Sequence, residues 1–197
     1  ISAYFGGTAA ATDNNPADVW SRYASVYHFT ELQDSVHAIG VKAGYSENAA
    51  KIEQELLGTC YRVRSAKQKI VLGIANQYVT QADRQTVTCW FRNTSKPSTE
   101  ITGRLIGGKS TYNSDNEGGF DILPQKGKIW VRGAVYSSKV GTFKANETPL
   151  LQNEWKHVVV VMDQTEASVY VDGTALTSSN GTTIAPPDVS KNNISLG

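Results

Sequence analysis

The chain has 197 residues, of which 40% are hydrophobic and 19% are charged, and its formal net charge is +1. This composition is typical of a globular domain, whereas disordered chains combine low hydrophobicity with high net charge. A nearly neutral chain has no basic field that attracts phosphate backbones, so nucleic acid is excluded as an expected partner. The longest apolar run, residues 158–162, has only the length of a strand. We therefore expect no membrane insertion by this segment.

The first half of the chain contains the one stretch that favours a helix. Residues 48–57 (NAAKIEQELL) are rich in good helix formers and predict a short helix or helical turn. Further upstream, residues 13–16 (DNNP) are typical of a turn. We interpret residues 12–17 as a linker or turn on that basis.

The second half alternates with a period of two residues, which indicates strands with one buried face. In residues 86–92, Val87, Cys89 and Phe91 share one face of the predicted strand. Residues 128–136 repeat this alternation. Both segments are therefore predicted to be strands that lie on a hydrophobic core.

Residues 155–162 differ from these strands because their later half is apolar on both faces. Such a pattern is typical of a central strand that is covered on both sides. We therefore expect this strand to lie deepest in the fold, with Val159 and Val161 among the most buried residues.

Residues 168–172 form the next predicted strand, and a tight turn follows it. The pair Asp172-Gly173 tolerates the positive φ angles of a two-residue hairpin, which predicts a return strand at residues 174–176. Loops rich in Gly, Ser and Asn separate many short strands of this kind. The pattern predicts an all-β sandwich or jelly roll.

The two cysteines, Cys60 and Cys89, do not form a CxxC or Cys/His cluster, which excludes a metal-thiolate site. Two alternatives remain open for them. They form one disulfide, which the chain-entropy model values at about 3–4 kcal/mol, or they are two buried thiols that behave as small hydrophobic side chains.

The order of these strands carries a family resemblance. Residues 154–163 (EWKHVVVVMD), followed by residues 168–173 (SVYVDG), resemble the laminin-G-like signature W-x-H-V-A-V-V-x-D and L-Y-V-D-G. Similarities to other strands of that family occur at residues 25–31, 58–63, 86–92 and 194–197. The resemblance implies a concanavalin A-like fold over residues 21–197, that is, a two-sheet antiparallel jelly-roll sandwich.

The resemblance also bears on both ends of the chain. Residues 1–20 are similar to the tail of an uncharacterised bacterial envelope domain that often precedes this module, together with a linker. Laminin-G-like domains continue after the strand at residues 194–197 with a closing strand similar to I-D-E-V-R-I-Y, which this sequence does not contain. Without it, residues 26–29 form an open edge that invites strand sharing. The place of the closing strand is filled by residues 1–5, by a strand of a neighbouring subunit or by residues beyond 197. We expect that residues beyond 197 fill it.

Glycoside hydrolases also occur among proteins of this fold, and they need two carboxylates about 5–10 Å apart. Their pattern E-x-D-x-E is absent here, and Glu53 and Glu55, which have a suitable spacing, lie in the predicted helix. No G-x-S-x-G elbow or phosphate-binding glycine loop follows a predicted strand. We therefore expect no enzymatic activity.

Calcium is the cofactor that the resemblance implies. The family binds it through an Asp in a D-S-x-G-N-G loop and through backbone carbonyls, because hard cations prefer several oxygen ligands. Asp34 and Ser35 match the first two positions, whereas residues 36–40 depart from the pattern. Asp34 is therefore the candidate calcium ligand.

Trp130, Arg132 and Tyr136 share one face of the strand predicted at residues 128–136. Modules of this kind bind glycans on an aromatic platform, where sugar C–H groups stack on a ring and polar side chains bind the hydroxyls. These three residues are the candidate ligand-binding residues. The alternative interpretation is that this face is a second buried layer with Arg132 at its rim.

Together, the patterns and the resemblance predict a non-catalytic recognition or adhesion module of an exported bacterial protein. The expected partner is a glycan or a surface protein, and the expected location is extracellular, at the cell surface or periplasmic. A structural spacer, or a strand-sharing subunit of a filament or surface assembly, is the alternative. A glycoside hydrolase is the third possibility.

Overall fold

A computed structural model of the chain describes residues 23, 26–29, 32, 44–55, 58–64, 67–74, 84–94, 96, 104–107, 119–134, 142–183 and 193–197. These residues form thirteen β-strands, and none of them lies in a helix that could cross a membrane. The strands are β1 (Tyr45–Glu47), β2 (Ala50–Glu55), β3 (Gly58–Arg62), β4 (Lys69–Ile74), β5 (Arg84–Arg92), β6 (Ile106–Gly107), β7 (Gly119–Gln125), β8 (Lys128–Ala134), β9 (Thr142–Lys144), β10 (Trp155–Asp163), β11 (Glu166–Val171), β12 (Thr174–Ala175) and β13 (Asn193–Leu196). The predicted all-β class is confirmed.

The strands form two main sheets and one separate pair. The larger sheet has seven strands in the order β1-β4-β13-β6-β7-β8-β9, and the smaller has four in the order β12-β11-β10-β5. Strands β2 and β3 pair with each other. Neighbouring strands are antiparallel throughout. This arrangement confirms the predicted two-sheet antiparallel sandwich.

The hydrophobic core lies between the seven-stranded and the four-stranded sheet, because both contribute every second residue to it. Its largest fully buried side chains are Ile122, Ile129, Val131, Phe143, Leu150, Val158, Val160, Met162 and Val169. Burial of one such side chain stabilises the fold by roughly 1.5–3 kcal/mol. The residues between these positions on each strand therefore face away from the core.

Only one of the two apolar faces of β10 packs into the core. Val158, Val160 and Met162 are at most 1% exposed and belong to the core. Val159 and Val161 are only half-buried, so the prediction that they rank among the most buried residues is wrong. They lie on the outer side of the four-stranded sheet, where the register of β10 with β5 and β11 places them.

Two tight hairpins have positive φ angles at both central residues, and the first of them was predicted. Asp172 and Gly173 have φ angles of 50° and 80° and connect β11 to the return strand β12, as predicted. Lys126 and Gly127, with φ angles of 50° and 77°, connect β7 to β8 in the same way. Positive φ at both central positions gives a turn whose twist matches that of the flanking strands.

The helix predicted at residues 48–57 is wrong. Residues Ala50–Glu55 form β2, which pairs with β3 and places Ile52 opposite Cys60. Asn48 and Gly58, which flank β2, have positive φ angles of 57° and 90°, outside the right-handed helical range. Helix propensities differ by only a few tenths of a kcal/mol per residue, so pairing with a neighbouring strand overrides them.

The cysteines are present as two thiols rather than as a disulfide. Cys60 lies on β3 and Cys89 on β5, which belong to different sheets, so the two residues are not on adjacent strands. Cys89 packs against the core, and burial raises its pKa to about 12. Of the two open alternatives, the pair of thiols is therefore the one that the structure adopts.

Strand β13 and Tyr27 both contact the seven-stranded sheet. Strand β13 pairs with β4 on one side and β6 on the other, which confirms the strand predicted at residues 194–197. The hydroxyl of Tyr27 donates a hydrogen bond to the carbonyl of Leu72 on β4. The interpretation of residues 1–20 lies outside the described residues, and the open edge expected at residues 26–29 stays a prediction.

Candidate functional site

Trp130 and Arg132 lie on the outer side of the seven-stranded sheet. Their neighbours on β8, Ile129 and Val131, are 0% exposed and point into the core, so the alternation predicted for this strand is confirmed. Trp130 and Arg132 themselves are half-buried. Tyr136, the third candidate residue, lies outside the described residues.

A cation from the neighbouring strand joins this pair. Lys144 on β9 lies directly opposite Trp130, and its Nζ is 4.7 Å from the centroid of the Trp130 ring. The guanidinium carbon of Arg132 is 5.6 Å from the same ring. Both distances are in the range of cation–π attraction, which holds the two cations beside the indole. Lys144 was not among the predicted site residues, because no sequence pattern predicted the short strand β9.

The buried carboxylate of Asp121 lies on the same side of the sheet, on the neighbouring strand β7. Asp121 on β7 lies opposite Arg132 and is 4% exposed. The Nε of Arg104 is 3.4 Å from Asp121 Oδ1. Gly107, the partner of Asp121 on β6, leaves room for it, since a Cβ at position 107 would lie 2.3 Å from that oxygen. We call the surface formed by Trp130, Arg132, Lys144, Asp121 and Arg104 the Trp130 face.

Among the residues that the structure describes, the Trp130 face contains three cations and one carboxylate, which gives it an excess of positive charge. Burial lowers the pKa of Arg132, which reflects the cost of holding a guanidinium away from water. Such a group gains from an anionic or strongly polar partner that replaces its lost hydration. Chemically, the face combines an aromatic ring with charged hydrogen-bond donors.

A second aromatic surface lies on the outer side of the four-stranded sheet. Trp90 on β5 is directly opposite His157 on β10, and their ring centroids are 5.1 Å apart. Two residues further along each strand, Trp155 is opposite Arg92. The guanidinium carbon of Arg92 is 5.3 Å from the centroid of the Trp155 ring. Together with Thr88, these four residues form what we call the Trp90 face.

Trp90 was not among the predicted site residues, although the alternation of its strand separates it from the core side. The alternation in residues 86–92 contained the signal, since it separates Trp90 from the core residues Val87, Cys89 and Phe91. What the alternation does not contain is the partner, because His157 lies 67 residues further along the chain. Only the pairing of β5 with β10 brings the two rings together.

An ion-pair network borders the Trp90 face at the hairpin that follows β11. The backbone N–H of His157 donates to Asp172 Oδ1 over 2.9 Å, and this hydrogen bond, together with the Lys156 ammonium, lowers the pKa of the Asp172 carboxyl. The Nζ of Lys156 is 3.0 Å from both Asp172 Oδ2 and Glu154 Oε2. The hydrogen bonds to Asp172 and Glu154 raise the pKa of Lys156. The cation and the carboxylates at this border are therefore paired with one another.

The candidate calcium ligand Asp34 lies outside the described residues. Within the described ranges, no group of three or more His, Cys, Asp or Glu side chains is arranged to hold a metal ion. A calcium site at Asp34 therefore stays a prediction.

Solved structures with the same fold include binding domains of larger proteins. Domain 4 of AbnA, a GH43 extracellular arabinanase from Geobacillus stearothermophilus, was solved with arabinotriose and is 15% identical, with a TM-score of 0.60 over 88% of this chain and 81% of that chain. The binding domain of botulinum neurotoxin serotype D is 12% identical, with a TM-score of 0.61 over 85% of this chain and 42% of that chain. The binding domain of Paraclostridial Mosquitocidal Protein 1 is 14% identical, with a TM-score of 0.52 over 87% of this chain and 45% of that chain. The chain thus spans less than half of the two toxin domains, and at these identities the likeness shows the fold alone.

Sequence comparison assigns the family. A search of curated protein sequences gave no significant match. The family model of the concanavalin A-like lectin/glucanases superfamily matches residues 66–197 and includes the strands of both faces described above. The similarities at residues 25–31 and 58–63 lie outside the matched range. The match covers about two thirds of the chain, and the chain therefore belongs to the concanavalin A-like lectin/glucanases superfamily.

Proposed function

We propose that this domain recognises carbohydrate without cleaving it, and that it does so through the Trp130 face. The observation that carries the proposal is the half-buried Trp130 indole with Lys144 and Arg132 at 4.7 Å and 5.6 Å from its centroid. A sugar ring can stack its C–H face on an indole while charged donors bind its oxygens. The sheet holds these groups on rigid strands, so little freedom is lost when a ligand binds.

The charge of the face favours a glycan with acidic groups, such as a uronic acid polymer. A neutral sugar would displace water from Arg132 and Lys144 without supplying a counter-charge, which is costly for cations that are already partly desolvated. A carboxylate on the ligand would form charge-assisted hydrogen bonds with them. Asp121, which is buried and paired with Arg104, limits this attraction but leaves the face cationic.

Two observations support a binding role rather than hydrolysis. Glycoside hydrolysis requires two cooperating carboxylates, one of which acts as an acid, whereas Asp121 is engaged in an ion pair beneath the surface. Two of the structures that share the fold are named as binding domains, and domain 4 of AbnA was solved in complex with arabinotriose. These likenesses support the class of function and leave the ligand to be identified by experiment.

The location of the domain and its partner are proposed from the sequence. We expect the domain to act outside the cell, at its surface or in the periplasm, where its partner is a glycan or a glycan-bearing surface protein. Calcium bound at Asp34 and strand sharing at residues 26–29 belong to the same expectation.

Calorimetric titration with an oligogalacturonate and with arabinotriose tests the proposal. We expect the acidic oligosaccharide to bind, Trp130→Ala to abolish its binding, and Trp130→Phe to retain part of it because a ring remains. Lys144→Met should weaken binding by about tenfold, a loss of about 1.4 kcal/mol. Added salt should weaken binding to the wild type more than to this variant, because a charge contact has been removed.

Arg84→Met is the matched control, since it removes one positive charge from the opposite sheet. Arg84 is exposed and pairs with Asp163 rather than with any residue of the Trp130 face. Binding should therefore be unchanged in this variant. If Trp130→Ala, with an unchanged circular dichroism spectrum, binds every acidic glycan as tightly as the wild type does, the Trp130 face is not the site.

A further inference from the structure

We infer that the Trp90 face is a second carbohydrate-binding surface, and that it takes an uncharged sugar ring on the Trp90 indole. This inference goes beyond the function proposed above, because it concerns the other sheet and a different class of glycan. It rests on the exposure of Trp90, on the way its neighbours hold it and on the pairing of the charges around it.

Trp90 is 54% exposed, the highest value among the large apolar side chains that the structure describes, followed by Tyr23 at 48% and Leu151 at 47%. Its ring centroid lies 5.1 Å from that of His157, with an angle of 37° between the two ring planes. The imidazole therefore covers part of the indole and leaves the rest to solvent. An exposed indole beside other aromatic side chains is the kind of surface on which sugar C–H groups stack.

Hydrogen bonds fix the support beneath this platform. Thr88 Oγ1 and His157 Nε2 are 2.8 Å apart, which sets the orientation of the imidazole ring. The backbone of His157 is fixed as well, because its N–H donates to Asp172 Oδ1 and its carbonyl accepts from the Asp172 N–H, each over 2.9 Å. A ring held in this way loses little conformational freedom when a ligand stacks on its neighbour.

The charges around the face favour an uncharged partner. Lys156 is bound by Glu154 and Asp172 at 3.0 Å each, and Arg84 by Asp163 at 3.0 Å. With Arg92, the described residues of the face and its border carry three cations and three carboxylates, so the face has no net positive charge that would attract an acidic glycan. Polar hydrogen-bonding groups for sugar hydroxyls are at hand in the exposed residues Thr86, Thr88 and Ser168, which share the outer side of this sheet.

The two faces lie on opposite sides of the molecule. Val131 from the seven-stranded sheet and Val160 from the four-stranded sheet are both 0% exposed in one core, so the residues that alternate with them point in opposite directions. A single glycan segment lying flat on one face cannot reach the other. One domain would therefore hold two separate glycan chains, an acidic one at Trp130 and a neutral one at Trp90, and cross-link them.

An array of neutral and acidic oligosaccharides, probed with the wild type and with Trp90→Ala, Trp90→Phe and Trp130→Ala, tests this inference. We expect at least one neutral oligosaccharide to bind the wild type, Trp90→Ala to bind it at least about tenfold more weakly, and Trp90→Phe to retain most of the affinity. Trp130→Ala should bind the neutral glycan as the wild type does. An unchanged circular dichroism spectrum and a single cooperative unfolding transition serve as the check that each variant folds.

The outcomes separate the two proposals. Loss of acidic glycans in Trp130→Ala, with neutral binding unaffected by Trp90→Ala, overturns the inference and leaves the proposed function intact. Absence of any neutral ligand on the array also overturns it. Sedimentation velocity measures the oligomeric state of the wild type and of Trp90→Ala. If the wild type dimerises and Trp90→Ala is monomeric, the Trp90 face binds a second copy of the chain and the inference is wrong.

Discussion

The Trp90 indole and the His157 imidazole face each other across the pairing of β5 with β10, with their ring centroids 5.1 Å apart. Directly opposed side chains of this kind stabilise a sheet, and we expect a coupling energy of about 0.5–1 kcal/mol between the two rings. A double-mutant cycle with Trp90→Ala and His157→Ala, measured by urea unfolding, gives this value. The control cycle pairs Trp90→Ala with Ser168→Ala on β11, where no coupling is expected. Equal coupling in both cycles would show that the ring contact contributes nothing.

Alanine substitutions at Val159 and Val160 should differ strongly in their effect on stability. Val160 is 0% exposed, so Val160→Ala removes buried methyl groups and leaves a cavity, which costs about 2–3 kcal/mol. Val159 is half-buried on the outer side of the sheet, and Val159→Ala should cost less than about 1 kcal/mol. The midpoints of chemical unfolding compare the two variants directly. A larger loss for Val159→Ala would mean that the strand is turned the other way.

Two glycines are required for different reasons. A Cβ at Gly107 would lie 2.6 Å from the Phe120 carbonyl oxygen and 2.3 Å from Asp121 Oδ1, so Gly107→Ala should cost about 3 kcal/mol or more because backbone must move. Gly173 has open space around it but a φ of 80°, so Gly173→Ala should cost only about 1 kcal/mol of backbone strain. Thermal unfolding of both variants shows which substitution is more destabilising. A larger loss for Gly173→Ala would mean that the backbone around Gly107 can accommodate a Cβ.

Cys89 should be inert in the folded protein. Burial raises the pKa of its thiol to about 12, so the reactive thiolate is scarce at mildly alkaline pH. In a Cys60→Ser variant, we expect Ellman's reagent to label Cys89 only after denaturant is added. The denatured sample is the control for the total thiol content. Rapid labelling under native conditions would show that the space around β5 opens readily.

Asp172 should contribute to stability in a pH-dependent way. The hydrogen bond from the His157 backbone N–H, and then the Lys156 ammonium, lower the pKa of this carboxyl in the folded state. A group with a lowered pKa stabilises the fold fully above its unfolded pKa, and this contribution is lost as the pH falls through the folded pKa. Asp172→Asn keeps an acceptor oxygen and tolerates positive φ but loses the charge. It should be less stable than the wild type by about 0.5–1 kcal/mol near neutral pH, a value reduced by solvent screening.

Urea unfolding of Asp172→Asn and of the wild type from neutral to strongly acidic pH measures this difference. The gap should narrow in acid, where Asp172 of the wild type is protonated and no longer pairs with Lys156. A gap that stays constant across the range would mean that the charge of Asp172 has no part in stability. Glu154→Gln, which removes the other carboxylate near Lys156, is the comparison variant.

Alternation along single strands could be predicted from the sequence, because it depends only on the geometry of an extended chain. It placed Val87, Cys89 and Phe91 on the core side of β5, and it placed Trp130 and Arg132 together on the outer side of β8. The Asp172-Gly173 hairpin was equally predictable, since few residue pairs tolerate positive φ at both central positions. These features are local, and local chemistry is sufficient to determine them.

The tertiary structure decided the features that depend on contacts between distant residues. The apolar pattern of β10 allowed either valine set to face inward, and only its register with β5 and β11 placed Val160 in the core. Pairing of β2 with β3 overrode the helix propensity of residues 50–55. Both candidate sites also depend on contacts between distant residues. Lys144 contacts Trp130, and His157 contacts Trp90, through strand pairings that no local sequence pattern predicts. The sequence by itself therefore determined which residues share a face of a strand with clear alternation, such as β5 and β8. The pairing of strands decided which face of β10 is inside and which outward residues meet, because that choice minimises the free energy of the whole sandwich rather than of any one segment.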